Sequence, residues 1–339
     1  MIQPLLVSFL VFAGTSFVPP AVPTPTADVW ALPAGNAGTK PAPESDYSVI
    51  DNYARNTPEQ FTKDLNTLSV YLTSPARSDL AKARSVYAWI LSHVRYDDAV
   101  YSGRRYHSEE TYANGVLRSR RTVCTGFALL YKHLLRRAGV EVVSVKGYAR
   151  SDDAQAGVPV GPIDHEWNAV KLDGDWYLLD LAWAGTTMKN GKPNDFYFLT
   201  EPQRFVAAHF PADPRWQLLG SPVSKAEFDR YPKLYDAYFR LGFDDDFPKE
   251  GLIRSAETVS LTLTNPEQPV EFMCSYSRPG NGTAHNLPVS IRRSGNAYTL
   301  QVKMPAGKST LYVFAKPKKA SFERVKSYEG IASFTVLNG

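Results

Sequence analysis

Cysteine is nearly absent from this chain: Cys124 and Cys274 are the two among 339 residues. Two thiols cannot build a disulfide framework, so the fold must rest on its apolar core. A Cys124–Cys274 bridge stays open at this stage. There is no C-x-x-C and no H-x-x-x-H pair, the spacings that hold a metal. A zinc set of Cys124, His165 and Asp180 would have the right ligand types without such a pair behind it. No metal and no other cofactor is therefore expected. Beyond the N-terminus no apolar run is long enough to span a bilayer. There is also no basic tail and no nucleic-acid module. Lys and Arg (38) are interspersed with Asp and Glu (34), leaving a formal net charge of +4. That imbalance favours no particular partner, and no nucleic-acid partner is expected.

What is present is a globular composition, 43% hydrophobic and 21% charged, over a length that suits two domains. The chain opens "MIQPLLVSFLVFAGTSFVPPAVPTPTADVW". Its apolar run from Leu5 to Val18 is too short to cross a membrane but fits a signal-peptide core, with cleavage expected near Ala27. No Lys or Arg precedes the run, and no cysteine follows it to carry a lipid. The expectation is an exported protein, periplasmic or extracellular, with residues 1–27 as signal peptide. Residues 28–45, rich in Pro, Ala, Thr and Gly, read as a flexible tether.

Downstream, "TPEQFTKDLNTLSVYL" reads as a helix starting at Thr57, Pro58 and Glu59, with Phe61, Leu65, Leu68 and Leu72 on its apolar face. "SDLAKARSVYAWILSHVRYDD" is a second helix, capped by Ser78, with Leu80, Ala83, Val86, Ile90 and Val94 at helical spacing. A short helix is expected around Ser108–Val116. "TVCTGFALLYKHLLRRAGV" is a helix that Thr122 would cap and Gly139 would end. "VEVVSVKGYAR" is a strand, and "DHEWNAVKLDGDWYLLDLAW" is two strands about the Asp173-Gly174 turn. Residues 221–250 connect. From 251 to 339 the chain breaks into short alternating strands, the pattern of a β-sandwich.

Cys124 falls in the first turn of its helix, where backbone N–H groups and the positive dipole end favour a thiolate. A nucleophilic cysteine also wants a base, and the base wants an orienting group. The hairpin offers both. A two-residue turn at Asp173-Gly174 pairs Leu172 with Asp175, Trp167 with Asp180 and His165 with Ala182. His165 and Asp180 then share a face as diagonal neighbours, about 7–8 Å apart at the backbone. A three-residue loop would put them on opposite faces. Trp167 and Trp183 flank the pair and read as packing. Asn168 either assists His165 or caps a loop. His133, nine residues beyond Cys124, points elsewhere. His93, His107, His209 and His285 show no ligand spacing, and Cys274 reads as an ordinary strand residue.

These pieces, together with "VYAWILSHVRYD" and "FYFLTEPQRFVAAHFPADPRWQLL", resemble the transglutaminase-like superfamily of papain-like cysteine enzymes, in its kyphoscoliosis-peptidase branch. The resemblance runs from about Ser78 to Leu219. It implies Cys124 as nucleophile, His165 as general base and acid, Asp180 as the orienting carboxylate, and acyl transfer on amide bonds of proteins or peptides. It implies no metal. The backbone N–H of Cys124 is the natural first oxyanion donor. Trp89, Tyr96 and Tyr112 are candidates for a second.

The expected architecture is α+β. A papain-like, transglutaminase-type core of helices on an antiparallel sheet (46–220) precedes a C-terminal, Ig-like β-sandwich (251–339). The expected activity is that of a cysteine peptidase. A protein-crosslinking acyltransferase and a non-catalytic interaction scaffold are the alternatives.

Overall fold

The computed structural model describes residues 46–100, 106–255, 257–280, 283–318 and 327–339. The expected signal peptide and tether lie outside the described residues. The helical layer comprises α1 (Ser48–Arg55), α2 (Leu65–Thr73), α3 (Asp79–His93), α4 (Glu109–Ser119), α5 (Cys124–Arg137) and α6 (Leu181–Thr186). α1 falls in a polar stretch that the apolar periodicity does not mark. The helix expected from Thr57 is two pieces instead. A 3-10 turn spans Glu59–Phe61, and Asp64 then caps α2 by accepting from the Thr67 N–H at 2.9 Å. Ser78 caps α3 as expected, and that helix buries Leu80, Ala83, Val86 and Ile90. Ser108 caps α4.

Two short strands, β1 (Arg95–Tyr96) and β2 (Arg121–Thr122), pair in parallel just ahead of α5. The central sheet is β5-β4-β3-β6, all antiparallel, from β3 (Val142–Ala149), β4 (His165–Leu172), β5 (Asp175–Leu179) and β6 (His209–Pro211). Its strands are apolar on both faces, as a sheet covered on both sides must be. Val142, Val170, Leu172 and Leu179 join the helical core. The alternating Val143, Val145, Trp167, Ala169 and Leu178 pack under Phe205 and Leu218.

The hairpin register is the one counted from the turn. Leu172 pairs with Asp175, and the ladder runs to Asn168↔Leu179. Asp173 (φ 52°) and Gly174 (φ 95°) supply the two positive φ values of such a turn. The ladder stops there, and this corrects the expectation of Asp180 on a strand opposite Trp167. The Asp180 N–H donates instead to the Tyr197 carbonyl (2.9 Å), and Asp180 becomes the N-cap of α6. Ala182 is therefore helical and does not oppose His165.

After β5 come α7 (Pro202–Phe205), α8 (Lys225–Arg230), β7 (Lys233–Leu234) and α9 (Asp236–Arg240). The C-terminal strands are β8 (Leu252–Ser255), β9 (Thr258–Thr264), β10 (Val270–Ser277), β11 (His285–Leu287), β12 (Val289–Ser294), β13 (Ala297–Lys303), β14 (Gly307–Pro317) and β15 (Glu329–Asn338). They form two sheets, β11-β10-β14-β15-β7 with β8 alongside β15, and β12-β13-β9. Val259, Leu261, Tyr298 and Leu300 of the small sheet meet Phe272, Leu311, Val313 and Phe334 of the large one in a single core, which makes the region a β-sandwich. β7 binds the connecting segment to this sandwich through Leu234↔Ala332 and Lys233↔Ser333.

Candidate active site

Cys124 is the first residue of α5 and is buried. Thr122 does not cap the helix. Val123 is the N-cap, and no side chain satisfies the first turn. Thr122 is in β2, and its Oγ1 is buried without a partner. It fills the space beside Gly126, where an added Cβ would sit 1.9 Å from Thr122 Oγ1. Behind Cys124 the helix is anchored by Phe127, Leu130, Tyr131 and Leu134, all buried. It ends at Ala138, with Gly139 at φ 78° as the C′ residue. The Cys124 Sγ lies 3.9 Å from the Asp164 carbonyl, at the mouth of β4. Both cysteines are free, so no Cys124–Cys274 bridge exists. Burial in β10 pushes the Cys274 thiol up to about 12, which fits an inert core thiol.

His165 opens β4, opposite Gly147 of β3. A Cβ at Gly147 would meet the Phe210 carbonyl at 2.3 Å and the Trp167 ring at 2.5 Å, so glycine makes room for this crossing. His165 Nε2 is 2.7 Å from Asp180 Oδ2, which leaves Nδ1 as the ring nitrogen open to the thiol. Burial opposes a charge on His165. The Asp180 carboxylate overcomes it, with help from the Cys124 side chain, and the imidazole is held well above its usual range. Burial would likewise raise Asp180, but the His165 charge and the donors around it hold the carboxyl low.

Asp180 has more partners than the hairpin register implied. Its Oδ1 accepts from the Trp183 N–H at 3.0 Å. Its Oδ2 is also 3.0 Å from His209 Nε2. His209 is the residue that sequence reasoning missed. It sits on β6 opposite Ala149, two strands from β4, and meets Asp180 where that residue has left the β5 ladder to cap α6. No ligand spacing announced it; its one signal is a histidine at the start of a short, otherwise apolar strand. Burial first, then the positive neighbours His165 and Lys233, hold His209 well below the usual imidazole range, so it is neutral. His165, Asp180 and His209 are of metal-ligating type and within 4.8 Å of one another. Separations of 2.7 and 3.0 Å are hydrogen-bond lengths, with a proton on each nitrogen.

The remaining sequence candidates sort clearly. Asn168 is not beside His165; its Nδ2 donates to the Ala128 (3.0 Å) and Val143 (3.1 Å) carbonyls and fastens α5 to the sheet. Trp167 and Trp183 lie 5.9 and 5.7 Å from the His165 ring as packing partners. Trp89 is wholly buried against His93. Tyr112 meets Tyr106 edge-on. Tyr96 is 38% exposed and stacks over Phe127, one turn beyond Cys124. Burial, and then the charge of Cys124, raises its hydroxyl above the usual range. His133 faces Glu109, away from the site.

Comparison with known proteins adds three findings. Residues 66–181 match the transglutaminase-like superfamily model. The kyphoscoliosis peptidases of Mus musculus and Homo sapiens are 32% identical over 272 residues and 30% identical over 290. Those alignments cover 78% and 83% of this chain, and 40% and 42% of the relatives. The Lim and transglutaminase domain protein ltd-1 of Caenorhabditis elegans is 32% identical over 229 residues, 59% of this chain and 30% of that protein. The chain thus spans about two fifths of the length of the first two. Among the described residues no helix is long and apolar enough to cross a membrane.

Proposed function

Residues 66–181 belong to the transglutaminase-like superfamily, and from that premise we propose that this chain is a cysteine enzyme that cleaves amide bonds of proteins or peptides. The observation that carries the reading is His165, held by Asp180 through Nε2 and raised by both Asp180 and Cys124. In the proposed cycle His165 takes the Cys124 proton and the thiolate attacks the amide carbon. The uncapped first turn of α5 offers the Cys124 N–H to the oxyanion, and Tyr96 is the second donor best supported by its position. The tetrahedral intermediate collapses as His165 protonates the departing amine, leaving an acyl-thioester. His165 then deprotonates water, whose attack releases the acid and the thiol.

Hydrolysis is favoured over transfer to an amine because two of the relatives are named peptidases. We assign this chemistry to residues 46–220 and substrate positioning to the sandwich at 251–339. We also assign export, on the apolar run from Leu5 to Val18; recovery of the protein only from cytosolic fractions would refute that assignment.

The test compares wild type with Cys124→Ala on a proteome-derived peptide pool. New N-termini should appear with wild type and fall at least about a thousandfold in the variant. Incorporation of a labelled primary amine in place of new N-termini would identify a crosslinking enzyme. Neither product, with the variant keeping the biological phenotype, would identify a scaffold.

A further inference from the structure

We propose that His209 is a positioning residue, a second histidine that holds Asp180 in the orientation from which it serves His165. The inference rests on the cysteine-enzyme reading and adds a fourth residue to its site. Three donors converge on one buried carboxylate: the Trp183 N–H on Oδ1, and the Nε2 groups of His165 (2.7 Å) and His209 (3.0 Å) on Oδ2. An ionised carboxylate only accepts, so each nitrogen facing it must carry a proton. His209 is neutral, which fixes its tautomer as Nε2–H and makes it a donor without a competing charge.

The ring that donates is itself immobile. It is 2% exposed, stacked on Phe205 at 4.0 Å between centroids, and closed in by Trp183 at 4.3 Å and Trp167 at 5.2 Å. Its backbone is fixed in β6 against Ala149. The charged and titratable groups acting on it are Asp180, His165 and Lys233. The shared Oδ2 therefore divides its charge between a fixed neutral donor and the imidazole that must gain and lose a proton. Without His209, Asp180 keeps its helix-cap bond but loses the second restraint on Oδ2. It then pulls harder on the His165 proton, which raises the imidazole further and blunts it as a proton donor.

The test follows the ring titration of His165 by nitrogen-15 NMR in wild type, His209→Phe and His209→Gln, together with alkylation of Cys124 by iodoacetamide at mildly acidic pH. Phe keeps the stack and removes the donor; Gln restores an N–H at nearly the same place. His209→Phe should raise the His165 midpoint by about half a pH unit or more and, because a more basic His165 favours the Cys124 thiolate, leave alkylation at mildly acidic pH as fast as in wild type or faster. His209→Gln should return the midpoint to within about 0.2 pH unit of wild type. An unchanged midpoint in His209→Phe, or a Gln variant that behaves like Phe, overturns the proposal. Should His209→Phe fail to fold, the wild-type spectrum decides: a neutral Nε2–H ring supports the role, and an Nδ1–H or charged ring overturns it. A wild type that resists alkylation sinks the cysteine-enzyme reading instead, and the His165 midpoints still judge His209.

Discussion

At the scale of single residues, the site depends on atoms too close to tolerate additions. Gly126→Ala would drive a methyl into Thr122 and displace the first turn that carries Cys124. A loss of about 1–3 kcal/mol is expected from the urea midpoint, partly recovered by Thr122→Ala. Lys233 makes a pH-dependent prediction. Its ammonium is buried, donates to the Arg150 carbonyl at 2.6 Å and lies 4.8 Å from the centre of the Trp183 ring. Burial pushes it down to about 8, whereas an unfolded lysine titrates near ~10.4. Between those values the unfolded chain holds the proton and the folded chain does not. Stability therefore rises with pH through that window, and the penalty is complete below about 8. Lys233→Met should stabilise the protein at neutral pH by up to about 2–3 kcal/mol, and less toward the top of the window. Equal gains at neutral and strongly alkaline pH would refute this. Cys124 at a helix start and His165 on a strand were legible in the sequence, whereas the turn count carried Asp180 one step too far, since the ladder ends at Leu179 and Asp180 caps α6. His209 was not, because its contact with Asp180 joins residues 29 apart in the chain, which no local period encodes.

At the scale of elements, the caps and turns that follow local rules were legible: Ser78 on α3, Gly139 after α5, and the Asp173-Gly174 register. What failed were boundaries set by tertiary contacts. Asp180 leaves the β5 ladder because Tyr197 offers its N–H a better-placed carbonyl and α6 needs a cap. α1 was missed because its short polar segment is tied to α3 in part through a charge cluster that leaves no apolar period. Arg84 of α3 donates from Nε and Nη2 to Asp51 of α1, each at 2.7 Å, and from Nη1 to Asp195 at 2.9 Å, under the rings of Tyr47 and Phe198. Asp195 begins the 3-10 turn that ends at Tyr197, so the same arginine steadies the carbonyl that holds the Asp180 backbone. Arg84→Met strands the Asp51 carboxylate and should cost about 3–5 kcal/mol in chemical denaturation, with Asp51→Asn in the same chain recovering part of it. A pair whose two effects simply add would show that the cluster is not the clamp inferred here.

At the scale of the whole molecule, the sandwich meets the α+β layer where two backbones cross. Gly157 (φ 70°) has no room for a Cβ: Leu252 N would lie 2.0 Å away and Gly251 C 2.4 Å. Around that crossing the Gly157 N–H donates to the Tyr231 carbonyl (2.9 Å), and Thr335 donates from Oγ1 to Ala156 (2.8 Å) and from its N–H to Gly251 (2.8 Å). Gly157→Ala should therefore lower the thermal midpoint by several degrees, a loss of more than about 2 kcal/mol, while Gly161→Ala, with nothing within 4 Å, should leave it unchanged. The overall class, helices on an antiparallel sheet and then a sandwich, was legible from periodicity; this crossing was not, since a glycine required by close approach looks like any loop glycine. The order of the sheet, β5-β4-β3-β6, has a further consequence in time. On the ribosome the thiol emerges first, then the imidazole, then the carboxylate, and His209 last, on the strand that completes the sheet. Until that strand arrives, the carboxylate lacks its second histidine and β3 lacks a neighbour. The proposed chemistry is thus a late acquisition of synthesis, complete only when β6 has joined β3.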